Sequence, residues 1–390
     1  MRVLIAPDCF GGTLTALQAA EAMALGWRTG APHDDVALLP LADGGPGFVD
    51  SVHAALGGDL VPVTVRGPLG EPVPAVVLRT TTPGGVVAYL EAAQAVGLHL
   101  VPPDRRDPTV TTSAGVGELL RAAVDLGAVR VVVGLGGSAT NDAGAGLLAG
   151  LGLDAVALGG GGGGLTEVTA ADLGGLRELR GSLAGVDLVV AADVDVPLLG
   201  LHGASAGFAA QKGATPEQAQ HLERALGRFA AVVADVLAGA PAPRGLLGPV
   251  SDPHGLTQLP GAGAAGGLGF GLAVLGARVL PGAQVVADAV GLGPRAAAAD
   301  LLVTGEGALD WQSLHGKVVS AVARQGLAAG VPVVVVAGQV HLGRREWAAA
   351  GIAGAYAVAE TPDQVPPSVA DPAGTLAART ERVARTWSPA

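Results

Sequence analysis

The sequence predicts an α/β protein of two domains, one of them split along the chain. Three observations carry that prediction. The chain has 390 residues, a length suited to about two or three domains. Short apolar runs alternate with helical patterns at both ends. The apolar residues are mostly Val, Leu, Ala and Ile, with aromatics at only 3%. That composition suits strands buried on both faces beneath Ala-rich helices.

At the front, Val3 to Ala6 reads as a buried strand and Pro7 to Gly12 as a turn. Thr15 and Gln18 have capping-box spacing and open a helix to about Trp27. Val36 to Leu39 is a second strand, ending before Asp43-Gly44-Gly45. The back of the chain repeats this rhythm. Strands are expected at Leu301 to Val303, Val333 to Val336 and Ala355 to Val358. Helices are expected up to about Ala329, around Arg345 and over Thr375 to Ala384. Two strands from the front and three from the back make a flavodoxin-like, five-stranded parallel sheet domain. The domain is discontinuous, over 1–62 and 275–390, with a second α/β domain inserted at 63–274.

The inserted segment is more mixed. Two strand-like runs lie within Thr64 to Leu78, followed by strands at Val86 to Leu90, Val131 to Val133 and Leu188 to Val190. Helices are expected at Val116 to Leu126, Asn141 to Leu151 and Pro216 to Leu237. Gly159 to Gly164 reads as a flexible surface loop, and so does Pro241 to Pro260 as a loop.

The polar and glycine-rich clusters fall just after the expected strands. Asp8 and Asp43 follow the first two. Gly136-Gly137-Ser138-Ala139-Thr140-Asn141-Asp142, Asp193-Val194-Asp195, Thr304-Gly305-Glu306-Gly307 and Gly338-Gln339 follow others. Open parallel sheets bind ligands beyond the carboxyl ends of their strands, and two domains presenting such ends would enclose a cleft. In Gly136 to Asp142, glycines admit close approach, hydroxyls donate, and the next helix would offer free N–H groups to an anion. The alternative is an ordinary helix cap. Asp193 and Asp195 would hold Mg²⁺ or accept a hydroxyl proton, or else cap a turn. Gln211-Lys212 precedes a helix start, where Lys212 suits phosphate or is a surface lysine. Gly266 and Gly267 lie in a small-residue run that reads as a phosphate or ribose loop, or as a tightly packed helix entry. Glu306, Asp310, Gln312 and Lys317 share one loop-to-helix stretch. Gly316-Lys317 is not a P-loop, because Trp311 stands at the earlier glycine and Val318 at the Ser or Thr.

The net charge of −11 and pI near 5.1 give no basic footprint for nucleic acid. The single cysteine, Cys9, excludes an intramolecular disulfide. No stretch approaches the roughly 18 apolar residues of a membrane span. The run from Met1 to Asp8 is too short for a signal-peptide core, so the cytoplasm is the expected location.

As an ordered set these segments resemble the bacterial glycerate kinase family. The likeness rests on Ile5-Ala6-Pro7-Asp8, Leu41 to Gly45, Gly134 to Asp142 and Asp193-Val194-Asp195 with Pro197 to Gly200. It continues in Gln211 to Ala214, Pro260 to Gly269, Thr304 to Gly307, Leu309-Asp310, Gln312 and Gly316-Lys317. The resemblance implies an enzyme that phosphorylates D-glycerate with ATP and Mg²⁺, giving 2-phosphoglycerate or 3-phosphoglycerate. A homodimer is compatible with it. The chain departs from the family pattern at Gly11 (usually Lys), Pro46 (Glu), Val96 (Ser), Val196 (Asn) and Ala308 (Arg). Three functional readings follow: a divergent glycerate kinase, a kinase of another small hydroxy acid, or a non-catalytic nucleotide or organic-acid binder. The implied roles are catalytic for Asp193, Asp195, Lys212, Glu306 and Asp310, with Asp193 and Asp195 on Mg²⁺. Asp8, Asp43, Gly136, Gly137, Ser138, Asn141, Asp142, Gln211, Gly266, Gly267, Gln312 and Lys317 would contact substrate or nucleotide.

Overall fold

The computed structural model describes residues 1–239, 244–245, 248–249 and 253–388. The main strands are β1 (Arg2–Ile5), β2 (Asp35–Leu38), β3 (Asp59–Arg66), β4 (Pro72–Thr82), β5 (Gly85–Glu91), β6 (Ala128–Leu135), β7 (Asp187–Ala192), β8 (Arg278–Pro281), β9 (Leu301–Thr304), β10 (Val333–Ala337) and β11 (Gly354–Ala357). The helices that matter below are α1 (Ala16–Gly30), α2 (Ala114–Asp125), α3 (Ala145–Gly150), α4 (Pro216–Leu237), α5 (Ala264–Val274), α6 (Val318–Ala329) and α7 (Pro372–Trp387). The chain forms two compact units. One comprises Met1–Asp43, Gly47–Gly57 and Gly282–Ala390, the other Gly44–Pro46 and Gly58–Pro281.

The first unit is a five-stranded, all-parallel sheet in the order β2-β1-β9-β10-β11. This is the doubly wound order of flavodoxin-like folds. Val3 pairs with Val36 on one side and Leu301 on the other. The strands alternate their side chains between two apolar layers. Val334 and Val336 join Trp27, Met23 and Leu376 in one layer. Val335 and Ala337 join Val319, Ala323 and Ile352 in the other. Thr15 and Gln18 close the expected capping box on α1. Small residues let α1 and α7 touch backbone to backbone: a Cβ on Gly26 would lie 2.1 Å from the Ala377 carbonyl oxygen.

The second unit holds a six-stranded mixed sheet in the order β8-β7-β6-β5-β4-β3. β3 pairs antiparallel with β4 and β4 antiparallel with β5, while β5 through β8 are parallel. Helix α4 starts at a second capping box, Thr215 with Gln218, with Pro216 at its first position. Its Phe229 meets Phe270 of α5 edge to face at 6.3 Å. The unit begins at Gly58, not 63, because β3 pairs along its whole length with β4. It ends at Pro281, not 274, because β8 pairs with β7.

Two local expectations are corrected. The helix expected from Asn141 begins at Ala145, because Ala143 (φ 52°) and Gly144 (φ 75°) hold left-handed backbone. Gly159 to Gly164 is not a flexible surface loop: Gly161–Gly164 form a helical turn in which Gly161 and Gly162 are buried. A Cβ on Gly162 would lie 2.3 Å from the Asn141 carbonyl oxygen, so glycine lets this turn pack under the Asn141 loop. Part of the loop expected over Pro241 to Pro260 lies outside the described residues, and its end, Pro253–Gln258, is a 3₁₀ helix. Among the described residues no helix is long and apolar enough to cross a membrane.

Candidate active site

Polar loops at the strand ends of each unit bring together distinct sets of side chains. In the first unit, Asp8 follows β1 and is buried, its carboxylate accepting the Cys9 amide at 2.7 Å. Burial, reinforced by the charges of Asp43 and Glu306, pushes Asp8 up to about 8. Glu306 follows β9 and is also buried, and its Oε1 finds no hydrogen-bond partner among the described residues. Burial raises Glu306 to about 7, with Asp310 and Asp43 adding to the rise and Ser313 and Lys317 opposing it. The loop approaches closely only because of its glycines. A Cβ on Gly305 would lie 2.0 Å from the Val336 carbonyl, and one on Gly338 2.4 Å from the Gly307 carbonyl.

Asp310 is half-buried, and one carboxylate oxygen is committed to its own turn. Its Oδ1 accepts the Gln312 amide at 2.8 Å and the Ser313 amide at 3.3 Å. The Ser313 hydroxyl in turn accepts the Asp310 amide at 2.9 Å. Gln312 is exposed and Lys317 half-buried at the N-cap of α6, where its own side chain makes no capping bond.

In the second unit, the loop after β6 is pinned from all sides. Gly97 and Ser138 form an isolated bridge, Leu98 donates to the Gly137 carbonyl, and Ala139 donates to the Val96 carbonyl. Lys212 is 3% exposed. Its Nζ donates to Ser138 Oγ at 3.0 Å and to the Thr140 carbonyl at 2.6 Å. Burial lowers its pKa to about 7, against the charge of Asp142. Lys212 is therefore neither a surface lysine nor a free cation, because two of its donors hold the loop. Asp142 is fully buried and accepts from the Ser113 amide and hydroxyl and the Gly144 and Gly146 amides, at 2.8 to 3.2 Å. Burial raises its pKa despite those bonds. The N–H groups that the sequence suggested for an anion are thus taken by the protein's own carboxylate.

Gly266 (φ 71°) and Gly267 (φ 87°) pack on the same loop. A Cβ on Gly266 would lie 1.9 Å from the Thr140 carbonyl and one on Gly267 2.7 Å from Ala143 Cα. Of the two sequence readings for this run, the structure has the tightly packed helix entry. Gly136 and Gly137 lie against Gly45 and Pro46, with 2.7 Å from a Gly136 Cβ to Gly45 Cα. Asn141 donates to Ser205 Oγ at 3.0 Å, while its Oδ1 and the Thr140 hydroxyl are buried without a partner among the described residues. Unpaired buried polar atoms are costly, so these mark where a polar ligand atom would be welcomed. Asp193 is half-buried, and Asp195 and Gln211 are exposed.

Sequence reasoning missed Ser113, Ser205 and Ser313. Ser113 stands at a helix start and is legible as a cap. Ser205 meets Asn141 only through a tertiary contact, whereas Ser313 bonds within its own turn, to Asp310 and the Ala308 carbonyl. Among the described residues no three His, Cys, Asp or Glu side chains could hold a metal ion. Mg²⁺ needs only one or two carboxylates when phosphate oxygens complete its shell, and a pair such as Asp193 and Asp195 fits that donor set.

Comparisons with known proteins agree with this architecture. The model of the glycerate kinase family matches residues 3–388. Glycerate kinase of Bacillus subtilis is 42% identical over 346 residues, covering 87% of this chain and 85% of that protein. Glycerate 2-kinase of Escherichia coli is 39% identical over 347 residues, covering 87% and 86%. The crystal structure described as glycerate kinase 2 from Salmonella typhimurium LT2 superimposes with a TM-score of 0.77 at 37% identity, covering 99% of this chain and 98% of that one. With the family pattern running through both units, and both sets of strand-end loops included in the match, the chain belongs to the glycerate kinase family of phosphotransferases.

Proposed function

We propose that the protein transfers the γ-phosphoryl group of ATP to a hydroxyl of D-glycerate, giving 2-phosphoglycerate, with Mg²⁺ bound. The observation that carries this reading is the loop Gly136 to Asp142, held rigid by Lys212 with two buried acceptors left open. Phosphoryl transfer asks the protein mainly for positioning and charge stabilisation, and a loop fixed from both sides supplies the first.

The roles divide by unit. In the second unit, Ser138 and Asn141 bind and orient polar oxygens, and Lys212 keeps that loop in shape. Asp193 and Asp195 would hold Mg²⁺, which supplies neutralisation of phosphate charge when bound. In the first unit, Glu306 is the proton acceptor: a buried carboxylate raised to about 7 with an open oxygen suits a base working near neutral pH. Burial sets its basicity, the charges of Asp310 and Asp43 add to it, and Lys317 balances it. Asp310 places Gln312 and the turn. In the reaction, the substrate hydroxyl oxygen bonds to the γ-phosphorus, the bond to the β-bridging oxygen breaks, and the hydroxyl proton passes to Glu306. The products are the phosphorylated acid and ADP.

Phosphorus NMR after incubation with ATP, Mg²⁺ and D-glycerate tests this. The expected product is 2-phosphoglycerate. A 3-phosphoglycerate signal would overturn the position assigned, and ATP binding without turnover on any small hydroxy acid would overturn the catalytic reading.

A further inference from the structure

Trp311 is 68% exposed, although aromatics are scarce in this chain and Trp27 is wholly buried. A single exposed apolar residue on a surface usually needs no explanation. Trp311 differs because it is held. Its ring lies 3.8 Å from the His315 ring, centroid to centroid, at an interplanar angle of 35°. His315 Nδ1 donates to the Trp311 carbonyl at 2.8 Å, which fixes the imidazole beneath the indole. The turn that carries both is locked by Asp310 and Ser313. Leu309, immediately before it, is fully buried, and Leu314 packs on the same cluster. The result is a flat aromatic surface, ordered in advance, with open area left over.

We propose that Trp311, propped by His315, is the stacking platform for the purine base of the nucleotide that donates phosphate. This rests on the kinase reading above and adds a recognition element to it. Three features favour a nucleobase over other occupants. Base–aromatic stacking uses a ring face with no demand for hydrogen bonds, which matches an indole left largely exposed. Pre-ordering removes the entropy cost that a mobile Trp would carry on binding. Lys317, six residues on at the cap of α6, adds a cation that complements a polyphosphate on the same segment. Glycerate has no π face, so Trp311 discriminates for the donor and not for the acceptor.

The test uses the full-length protein with MgATP and inorganic tripolyphosphate as probes. Binding is read by tryptophan fluorescence and calorimetry, and turnover by ADP release. MgATP should quench the fluorescence of the native protein, and this component should vanish in Trp311→Phe while ATP still binds. Tripolyphosphate should bind without that quench. Trp311→Ala should raise KM for ATP about 10-fold with KM for D-glycerate within about twofold, and Trp311→Phe should fall between. An unchanged KM for ATP in Trp311→Ala would overturn the proposal. So would quenching that persists in Trp311→Phe, or quenching by protein concentration alone, which would mean that a second copy covers the indole. If the native protein shows no turnover, the kinase reading fails, but a Trp311-dependent quench by MgATP still upholds the platform. No ATP binding at all overturns both.

Discussion

Lys212 and Glu306 illustrate opposite uses of burial. Burial lowers the lysine to about 7 and raises the glutamate to about 7, so the two groups act oppositely on stability. The folded state holds fewer protons on Lys212 than the unfolded chain does between about pH 7 and its ordinary 10.5, so this residue makes the fold gain stability as pH rises through that window. Folded Glu306 holds more protons between its ordinary 4.5 and about 7, so its contribution is present below pH 4.5 and lost as pH rises through 7. Thermal unfolding against pH checks both. Glu306→Gln should flatten the loss between about pH 4.5 and 7, and Lys212→Met should flatten the gain above pH 7. In turnover, Glu306→Gln should lower kcat by about 10²-fold or more and remove the acid limb of the pH profile. Lys212→Ala should lower kcat about 100-fold by displacing Ser138 and the loop. A Lys212→Ala enzyme with native kcat would show that the loop holds itself. The departures from the family pattern also have structural settings. Gly11, where the family usually carries Lys, sits at φ 39°, a backbone that a lysine would strain. Pro46, in place of Glu, lies against Gly137, 3.0 Å from where a Cβ there would stand.

At the scale of elements, strands and long helices were legible because their signals are local: a short apolar run, or Thr three residues before Gln at a helix start. The start of α3 was not, because Ala143 adopts left-handed backbone that nothing in its own chemistry announces. It does so where Gly266 accepts its amide at 3.1 Å, a contact between segments more than a hundred residues apart. The same limit applies to the candidate site. Asp8, Asp43, Ser138, Asn141 and Glu306 could be named from their places after strands, but the hold of Lys212 on Ser138 could not. Gly161 and Gly162 looked like a spacer and are buried structural glycines, since composition cannot distinguish freedom from close packing. One element-level prediction follows from the glycine contacts. Gly266→Ala puts a Cβ 1.9 Å from the Thr140 carbonyl at φ 71°, so it should cost more than the 1–3 kcal/mol or so of left-handed strain alone. A lowered Tm measured calorimetrically, together with weakened turnover, is the expected outcome. An unchanged Tm would mean that α5 shifts freely against the loop.

At the scale of the whole molecule, the two units differ in how the chain builds them. The second has its sheet, its core and its caps within one continuous stretch, 58–281, apart from Gly44–Pro46. That stretch expressed alone should unfold cooperatively in a thermal melt, and a melt without a transition would show that it depends on the rest of the chain. The five-stranded sheet has no such independence. β1 finds its partner β9 only when Leu301 to Val303 come opposite Val3 to Ile5, almost 300 residues later. During synthesis at about 5–20 residues per second, the first strand leaves the ribosome roughly 15 to 60 seconds before that partner exists. For that interval Val3, Leu4 and Ile5 are an apolar segment with one side of their ladder unpaired, while the inserted unit is free to fold. The sheet therefore closes last. Its earliest residues are the ones longest exposed to aggregation, and a nascent chain arrested before Leu301 should present them to a holding chaperone.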